Sequence, residues 1–388
     1  MRPRLWRTAL FAALAGGAYL LAGGGGGSTT ASAGSRPPEP LPRLSGPALA
    51  TPTHIFIVTS NNGVSPFIVN VDRQTARAVP GLAVPSSYTT PWGPRVELLR
   101  AAVGGALAVV GRQRCQRCAL SQTEFLIASD GSVRRIARLP TIVPAATGTT
   151  ETAPALGGAA TWVLRWPHVG PCTLRLVPGT RPAVRVPCGD LVRDTVAGVV
   201  LAAGNGGPSE WLVNPLTGSV RARVSGSLWP IHGDLVLENY GLQPGGPTGS
   251  QFGHLSLVNL ISGGRRQLAW PSYFGGLIRV AIEPHGSWVA IDFGSPAYPG
   301  PAQAEDIWML NAATGKFTHV PGYPAQVDIK FSDIVWTDDD RLVIAAQGGG
   351  RTVVGIWKRG QATLPLRSVP TLQGYNSFVP IATARATR

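Results

Sequence analysis

Lysine is almost missing from this chain. Lys316, Lys330 and Lys358 are its only three, so arginine carries nearly all of the 34 basic side chains and the formal charge of +14. A basic nucleic-acid binder concentrates its charge in a run or on one face. Here the arginines are spread along the chain, so nucleic acid is not an expected partner. A codon bias toward arginine accounts for the charge, and salt-sensitive attraction to anionic envelope polymers or lipid headgroups is the functional reading of it.

Long apolar runs are scarce as well. The one clear run, Ala9 to Ala22, is too short to span a bilayer comfortably. It follows Arg2, Arg4 and Arg7 and precedes Gly23–Gly27 and Ala31-Ser32-Ala33. That order reads as an export signal over residues 1–33, cut after Ala33. An uncleaved anchor is the alternative, and would be the chain's only link to a membrane. Residues 34–52 are rich in Pro, Ser, Gly and Ala, including Arg36-Pro37-Pro38-Glu39-Pro40, and read as a semi-stiff spacer. The expected location is therefore secreted or extracytoplasmic, in the cell envelope.

Catalytic and metal-ligating patterns are missing too. No Gly-x-Ser-x-Gly, phosphate loop or dinucleotide fingerprint stands in a fitting context. His54, His168, His232, His254, His285 and His319 have no ligand spacing. Asp338-Asp339-Asp340 reads as a polar hairpin tip, because calcium needs six or more oxygens from a shaped loop. No metal or cofactor is expected, and the question of enzymatic activity stays open, leaning toward none.

Cysteine is limited to four residues. Export permits disulfides. A turn near Thr180 would set Cys172 and Cys188 opposite each other on a hairpin, which suits a bridge. Cys115 and Cys118 form a Cys-x-x-Cys pair. Without a second such pair zinc is disfavoured, and without a βαβ setting a redox role is disfavoured. A local disulfide clamping a loop is the default.

Beyond the signal, no stretch holds a helical apolar period for three turns. What is present is a series of short Val, Ile, Leu, Trp and Phe runs bounded by Gly, Pro, Asn and Asp, the mark of strands. Four segments repeat one pattern, an apolar run, Asn or Asp, two residues, Thr or Ser, usually Gly. They end in Val71-Asp72-Arg73-Gln74-Thr75, Asn214-Pro215-Leu216-Thr217-Gly218, Asn259-Leu260-Ile261-Ser262-Gly263 and Asn311-Ala312-Ala313-Thr314-Gly315. Aligning positions 72, 214, 259 and 311 gives separations of 142, 45 and 52, and 142 is about three times 47, a propeller-blade period. The expectation is an all-β, seven-bladed β-propeller over 53–385 with four-stranded antiparallel blades. Three N-terminal strands and a C-terminal strand would share one blade and close the ring, removing exposed edges.

The Asn214–Gly218 and Asn311–Gly315 turns resemble those of bacterial seven-bladed propellers of the YVTN/WD40-like and TolB-like type. The unit at 145–188 departs from the motif, with a Pro178-Gly179 turn, and no Trp-Asp dipeptide ends a strand. The resemblance implies a fold and a habit of binding through loops, not an activity.

With the four strands of each blade named A (innermost) to D in chain order, the B–C and D–A connections share one face and the A–B and C–D turns the other. All six tyrosines of the mature chain fall there: Tyr88, Tyr240, Tyr273, Tyr298, Tyr323 and Tyr375. Trp92, Trp166 and Trp270 join them. Tyr and Trp suit interfaces and glycan stacking, so a protein or an envelope glycan is the expected partner and a monomer the expected state, although such residues also cap blades and pack on one another. Glu97, Glu151, Asp194, Arg279 and Glu283 fall on inner strands lining the channel. Two converging acids there would open the alternative of a hydrolase or lyase acting on a polysaccharide or small ester. Solvated or paired channel charges are the plainer reading.

Overall fold

A computed structural model describes residues 39–40, 54–59, 65–71, 73–79, 82, 95–102, 105–115, 118–128, 130–143, 148–156, 160–203, 209–240, 253–272, 274–295, 302–328, 332–337, 339–348, 351–369 and 381–383. The expected signal, and all of the spacer except Glu39–Pro40, lie outside these residues.

The described elements are strands. They run in chain order as β1 (Glu39–Pro40), β2 (His54–Thr59), β3 (Ser65–Asn70) and β4 (Thr75–Ala78). Next come β5 (Arg95–Ala102), β6 (Gly105–Arg112), β7 (Ser121–Ala128) and β8 (Val133–Arg138), then β9 (Thr149–Pro154), β10 (Thr161–Trp166), β11 (Cys172–Val177) and β12 (Val184–Val186). β13 (Gly189–Thr195), β14 (Gly198–Ala203), β15 (Glu210–Val213) and β16 (Val220–Val224) precede β17 (Gly226–His232), β18 (Leu235–Tyr240), β19 (His254–Asn259) and β20 (Arg265–Leu268). β21 (Gly276–Ile282), β22 (Trp288–Ser295), β23 (Ala302–Asn311), β24 (Phe317–His319) and β25 (Ala325–Asp328) follow. The last are β26 (Ser332–Trp336), β27 (Arg341–Gly348), β28 (Arg351–Lys358), β29 (Leu366–Ser368) and β30 (Ile381–Thr383).

The chain is an all-β propeller. Six blades are four-stranded and antiparallel: β5–β8, β9–β12, β13–β16, β17–β20, β26–β29, and β30 with β2–β4. The expected seven four-stranded blades are thereby corrected. The strands between Gly276 and Asp328 instead form a six-stranded sheet. The physical reason is the ten-residue length of β23. Its C-terminal half pairs with β24 and its N-terminal half with β25, both antiparallel, so one strand carries two partners on its outer edge. Ala325–Asp328 thus adds to this sheet rather than to the β26–β29 blade. β1 then adds in parallel to β25, Glu39 opposite Ala325. In the sheet of β2–β4, β30 takes the inner place, with Phe56 opposite Ala382.

Alternation along each strand gives every sheet two apolar faces, and these pack face to face. Met309, Ile307 and Trp336 join Leu342, Ile344 and Trp357 between the six-stranded sheet and the β26–β29 blade. Leu164, Leu174, Val199 and Leu201 do the same between β9–β12 and β13–β16. Val69, Ala108 and Val343 belong to one cluster that unites three sheets. Polar ties accompany the apolar contact. The Thr161 hydroxyl donates to the Gln122 side-chain oxygen at 2.8 Å, a buried bond between two blades.

The repeat has a physical basis in the C–D turns. Asn214 Oδ1 accepts from Leu216 N, Asn259 Oδ1 from Ile261 N and Ser262 N, and Asn311 Oδ1 from Thr314 N. The glycine N–H four residues on donates back to each Asn carbonyl, and Gly218, Gly263 and Gly315 take φ of 75, 69 and 67°. That left-handed conformation is what selects glycine. The first copy obeys the same rule in a shifted register. Asn70, not Asp72, supplies the acceptor, to Arg73 N, and Gln74 holds φ of 55° where the other copies have glycine.

Two disulfides, Cys115–Cys118 and Cys172–Cys188, are formed. The hairpin register sets Cys172 opposite Val186, so Cys188 reaches it from two residues beyond rather than from directly across.

Candidate functional site

Tyr240 closes strand β18 where the chain turns into the B–C connection, and it stands directly opposite His254. Residues of one face alternate along β18, so Glu238 and Tyr240 share a side. Tyr240 is half-buried. Its ring lies 5.3 Å from the His254 ring, and the Arg265 guanidinium lies 5.0 Å from its centroid. The same Arg265 pairs with the buried Glu238 carboxylate at 2.7 Å. Burial pushes the Glu238 carboxyl up, against the opposing pull of Arg265. The result is an aromatic ledge with a cation, an acid and an imidazole beside it. A second polar group ties the inner strands of the neighbouring blades together. Arg193 Nη2 donates to Glu210 at 3.0 Å and also to the Leu228 carbonyl, while Glu210 accepts Leu228 N–H at 2.8 Å.

The other aromatics of the loop face are divided. Trp166 donates its indole N–H to the Gly189 carbonyl at 3.0 Å, stitching two blades. Trp270 donates to the Phe274 carbonyl at 2.9 Å and meets Phe293 edge-on at 4.9 Å. Tyr323 is in the core, 7% exposed, among Ile307, Met309 and Ala325, not on an open surface. Burial, then the charges of Glu305 and Asp292, push its phenol well above the usual tyrosine range. Tyr88, Trp92, Tyr273, Tyr298 and Tyr375 lie outside the described residues.

Of the inner-strand charges, Glu151 on β9 reaches the adjacent inner strand β13 and accepts Leu191 N–H at 2.6 Å. Burial raises its carboxyl to about 7. The Leu191 N–H works against that rise and the neighbouring Asp190 charge adds to it. Asp194 accepts Leu156 N–H at 2.7 Å and Thr195 N–H at 2.9 Å, so both its oxygens hold backbone. At the A–B turn a single oxygen of Glu283, Oε2, accepts both Ser287 N–H and Trp288 N–H, at 3.0 and 3.1 Å. The side chain of Glu97 lies outside the described residues.

Arg279 is the centre of a buried network. A β-bulge between Leu277 and Arg279 sets it directly opposite Asp292. Its Nη1 reaches Asp292 at 3.0 Å and Glu305 at 3.2 Å, and its Nε lies 4.0 Å from Asp333 on the next blade's inner strand. Burial works against the charge on Arg279, but Glu305, Asp292 and Asp333 outweigh it and hold the guanidinium above its usual range. Burial and the Glu305 charge raise Asp292 well above the carboxylate range. On the opposite side of β23, Asp306 accepts from Ser272 Oγ at 2.5 Å and Trp308 Nε1 at 2.7 Å, and lies 2.6 Å from His319 Nε2.

Tyr240 and Arg279 stood out in the sequence, but their partners Glu238, Arg265, Asp292 and Glu305, and the separate Asp306 cluster, did not. The available signal was a charged residue breaking an apolar strand run, as Asp292 does between Ile291 and Phe293. Among the described residues no group of three or more His, Cys, Asp or Glu side chains is placed to hold a metal ion.

No family model matches the sequence. No curated protein matches it either. Similar solved structures include β-propellers. A candidate 6-phosphogluconolactonase from Bacteroides uniformis is 13% identical, covering 85% of this chain and 99% of that one, with a TM-score of 0.49. The β-propeller domain of the Trilobed protease from Pyrococcus furiosus is 10% identical, covering 72% and 84%, at 0.45. A candidate TolB from Agrobacterium tumefaciens is 11% identical, covering 86% of this chain and 99% of that one, with a TM-score of 0.36. None of the three similarities bears on activity.

Proposed function

We propose that this chain is an exported, non-enzymatic β-propeller that binds a protein or an envelope glycan through its B–C/D–A loop face. The observation that carries this reading is the Tyr240 ledge. The Tyr240 ring is partly buried against the apolar cluster between the β13–β16 and β17–β20 blades, and Arg265 and His254 beside it supply cationic and hydrogen-bonding groups. The arginine-rich start, the short apolar run and the small-residue cleavage site support export of a mature propeller over 53–385. The two disulfides support the same reading.

The test is a binding assay on envelope fractions with the intact mature protein, comparing wild type, Tyr240→Ala and Arg265→Ala. Loss of an aromatic anchor is expected to weaken the captured interaction by roughly 30-fold. Equal recovery of every bound component by all three proteins would count against the loop face. N-terminal sequencing of the exported protein separates a cleaved signal from a retained anchor.

One observation favours a second reading, acid–base chemistry in the channel. Glu151 and Asp190 are carboxyl neighbours on adjacent inner strands, and Glu151 holds its proton to about pH 7. Turnover of a polysaccharide or ester that disappears in Glu151→Gln would support it, and activity that survives the substitution would remove it.

A further inference from the structure

Between Thr149 and Cys188, the span of the β9–β12 blade, the chain has four arginines, Arg165, Arg175, Arg181 and Arg185, and a single acid, Glu151. Alternation along the strands sorts these charges by face. Trp162 and Leu164 of β10, Cys172 and Leu174 of β11 and Val186 of β12 pack toward the β13–β16 blade. Glu151 stands opposite Leu164, so it belongs to that side. Arg165, Arg175 and Arg185 occupy the intervening positions and all share the other side.

Register then draws the three together. Thr173 stands opposite Arg165 on one side and Arg185 on the other. Arg175 lies two residues along β11, which makes it the diagonal neighbour of both. Directly opposite Cβ atoms are about 5 Å apart and diagonal ones about 7–8 Å, so three guanidinium forks can meet above the Thr173 hydroxyl. All three arginines are exposed and Thr173 is half-buried. Among the described residues none of the three side chains has an ion pair or a hydrogen bond. On the adjoining blade Gln122 bonds Thr161 of this face, and Glu124 follows two residues on, but Glu124 is buried at 1% exposure while the arginines stand in solvent. The Cys172–Cys188 disulfide ties β11 to the segment just after β12. Like charges that repel are thereby held in one sheet, and an anion seated among them offsets that repulsion.

We infer that Arg165, Arg175 and Arg185 bind a phosphate group of a linear phosphate polymer. Guanidinium forks fit phosphate oxygens in pairs, and the Thr173 hydroxyl donates to a further oxygen. This face is turned toward the neighbouring blade, since propeller sheets stand radially around one axis. A flat bilayer meets the outer edges of such sheets, whereas a thin flexible chain enters between them. Outer strand β8 of the adjoining blade adds exposed Arg134, Arg135 and Arg138 and has no acid of its own. That spread of charge favours a polymer of many phosphates over a single ion. This inference does not rest on the loop-face reading.

The test is calorimetric titration of the intact protein with short-chain inorganic polyphosphate, in chloride buffer of fixed ionic strength. Orthophosphate, polyglutamate of similar length and phosphatidylglycerol vesicles are the comparisons. Wild type is expected to bind polyphosphate more tightly than any of the three. Arg175→Ala is expected to weaken that binding about ten-fold, the loss of one charge-assisted contact, and Arg175→Lys less. Arg73→Ala removes the same charge from an exposed turn of another blade and is expected to leave the affinity near that of wild type. Any comparison ligand binding as tightly as polyphosphate, wild-type affinity in Arg175→Ala, an equal loss in Arg73→Ala, or no binding of polyphosphate would each overturn the inference. Thermal melts without ligand are expected to put Arg175→Ala at or above the wild-type midpoint, because a repelled charge has gone. A lower midpoint would mean that Arg175 serves the sheet rather than a ligand.

Discussion

Substituting Glu151 by Gln is expected to stabilise the protein at alkaline pH and leave it unchanged at acid pH. Glu151 ionises at an ordinary 4.5 in an unfolded chain and at about 7 in the fold, because burial outweighs the Leu191 N–H that favours its charge. Below about pH 4.5 the carboxyl is protonated in both states, and folding costs nothing on its account. Between 4.5 and 7 the unfolded chain releases the proton first, so stability falls as pH rises. Above 7 the penalty is complete and constant. The gap corresponds to about 3 kcal/mol at full ionisation, and partial solvent access reduces it to roughly 1–2 kcal/mol. A glutamine can still accept the Leu191 N–H and presents no charge to Asp190. Urea midpoints of wild type and Glu151→Gln at pH 4.5 and pH 8.5 measure the difference directly. The reasoning is refuted if the variant is no more stable than wild type at pH 8.5, or if it is more stable by the same amount at both values.

Arg279→Leu leaves Asp292 and Glu305 buried without their shared cation, and a loss of about 3–5 kcal/mol in chemical denaturation is expected. A loss under about 1 kcal/mol would mean that the two acids do not depend on it. Gln74→Gly is expected to raise stability by about 0.5–1 kcal/mol, since Gln74 is exposed at φ of 55° in a turn whose other copies use glycine. Gly218→Ala and Gly263→Ala share a left-handed backbone but not a neighbourhood. A Cβ at Gly218 would meet the Arg185 carbonyl oxygen at 1.9 Å, whereas at Gly263 nothing lies within 4 Å. Thermal melts are expected to show a small loss at 263 and a much larger one at 218, and equal losses would show that φ alone decides.

The propeller was legible because its turns are chemically demanding. An Asx acceptor and a left-handed residue four positions later can be met by few residue types, so Asn214, Asn259 and Asn311 each brought a glycine with them. The first copy was misaligned by two positions because Gln74 occupies the left-handed site without the glycine that marks it. The six-stranded sheet was not legible. A three-residue β24 and a four-residue β25 are too short to carry a period, and nothing local tells β23 that it will pair with both. The site was legible only by halves. Tyr240 and Arg279 could be placed on a face or an inner strand, but which acids meet them is decided by register, by a bulge at Leu277 and by the neighbouring blade. Tyr323 shows the converse error, since a tyrosine between two strands reads as a loop residue until the second strand folds back and buries it.

The seat of β30 beside β2 has a consequence for how the molecule is made. Phe56 and Ala382 face each other across a strand pair, although almost the whole chain separates them. Pairings at such sequence distance are slow to form, because the entropy of bringing remote segments together must be met before any contact rewards it. Until residues 381–383 arrive, β2 has a bare edge open to strands from other chains. A nascent or nicked molecule lacking that last short segment is therefore a candidate for aggregation even when every other blade is intact.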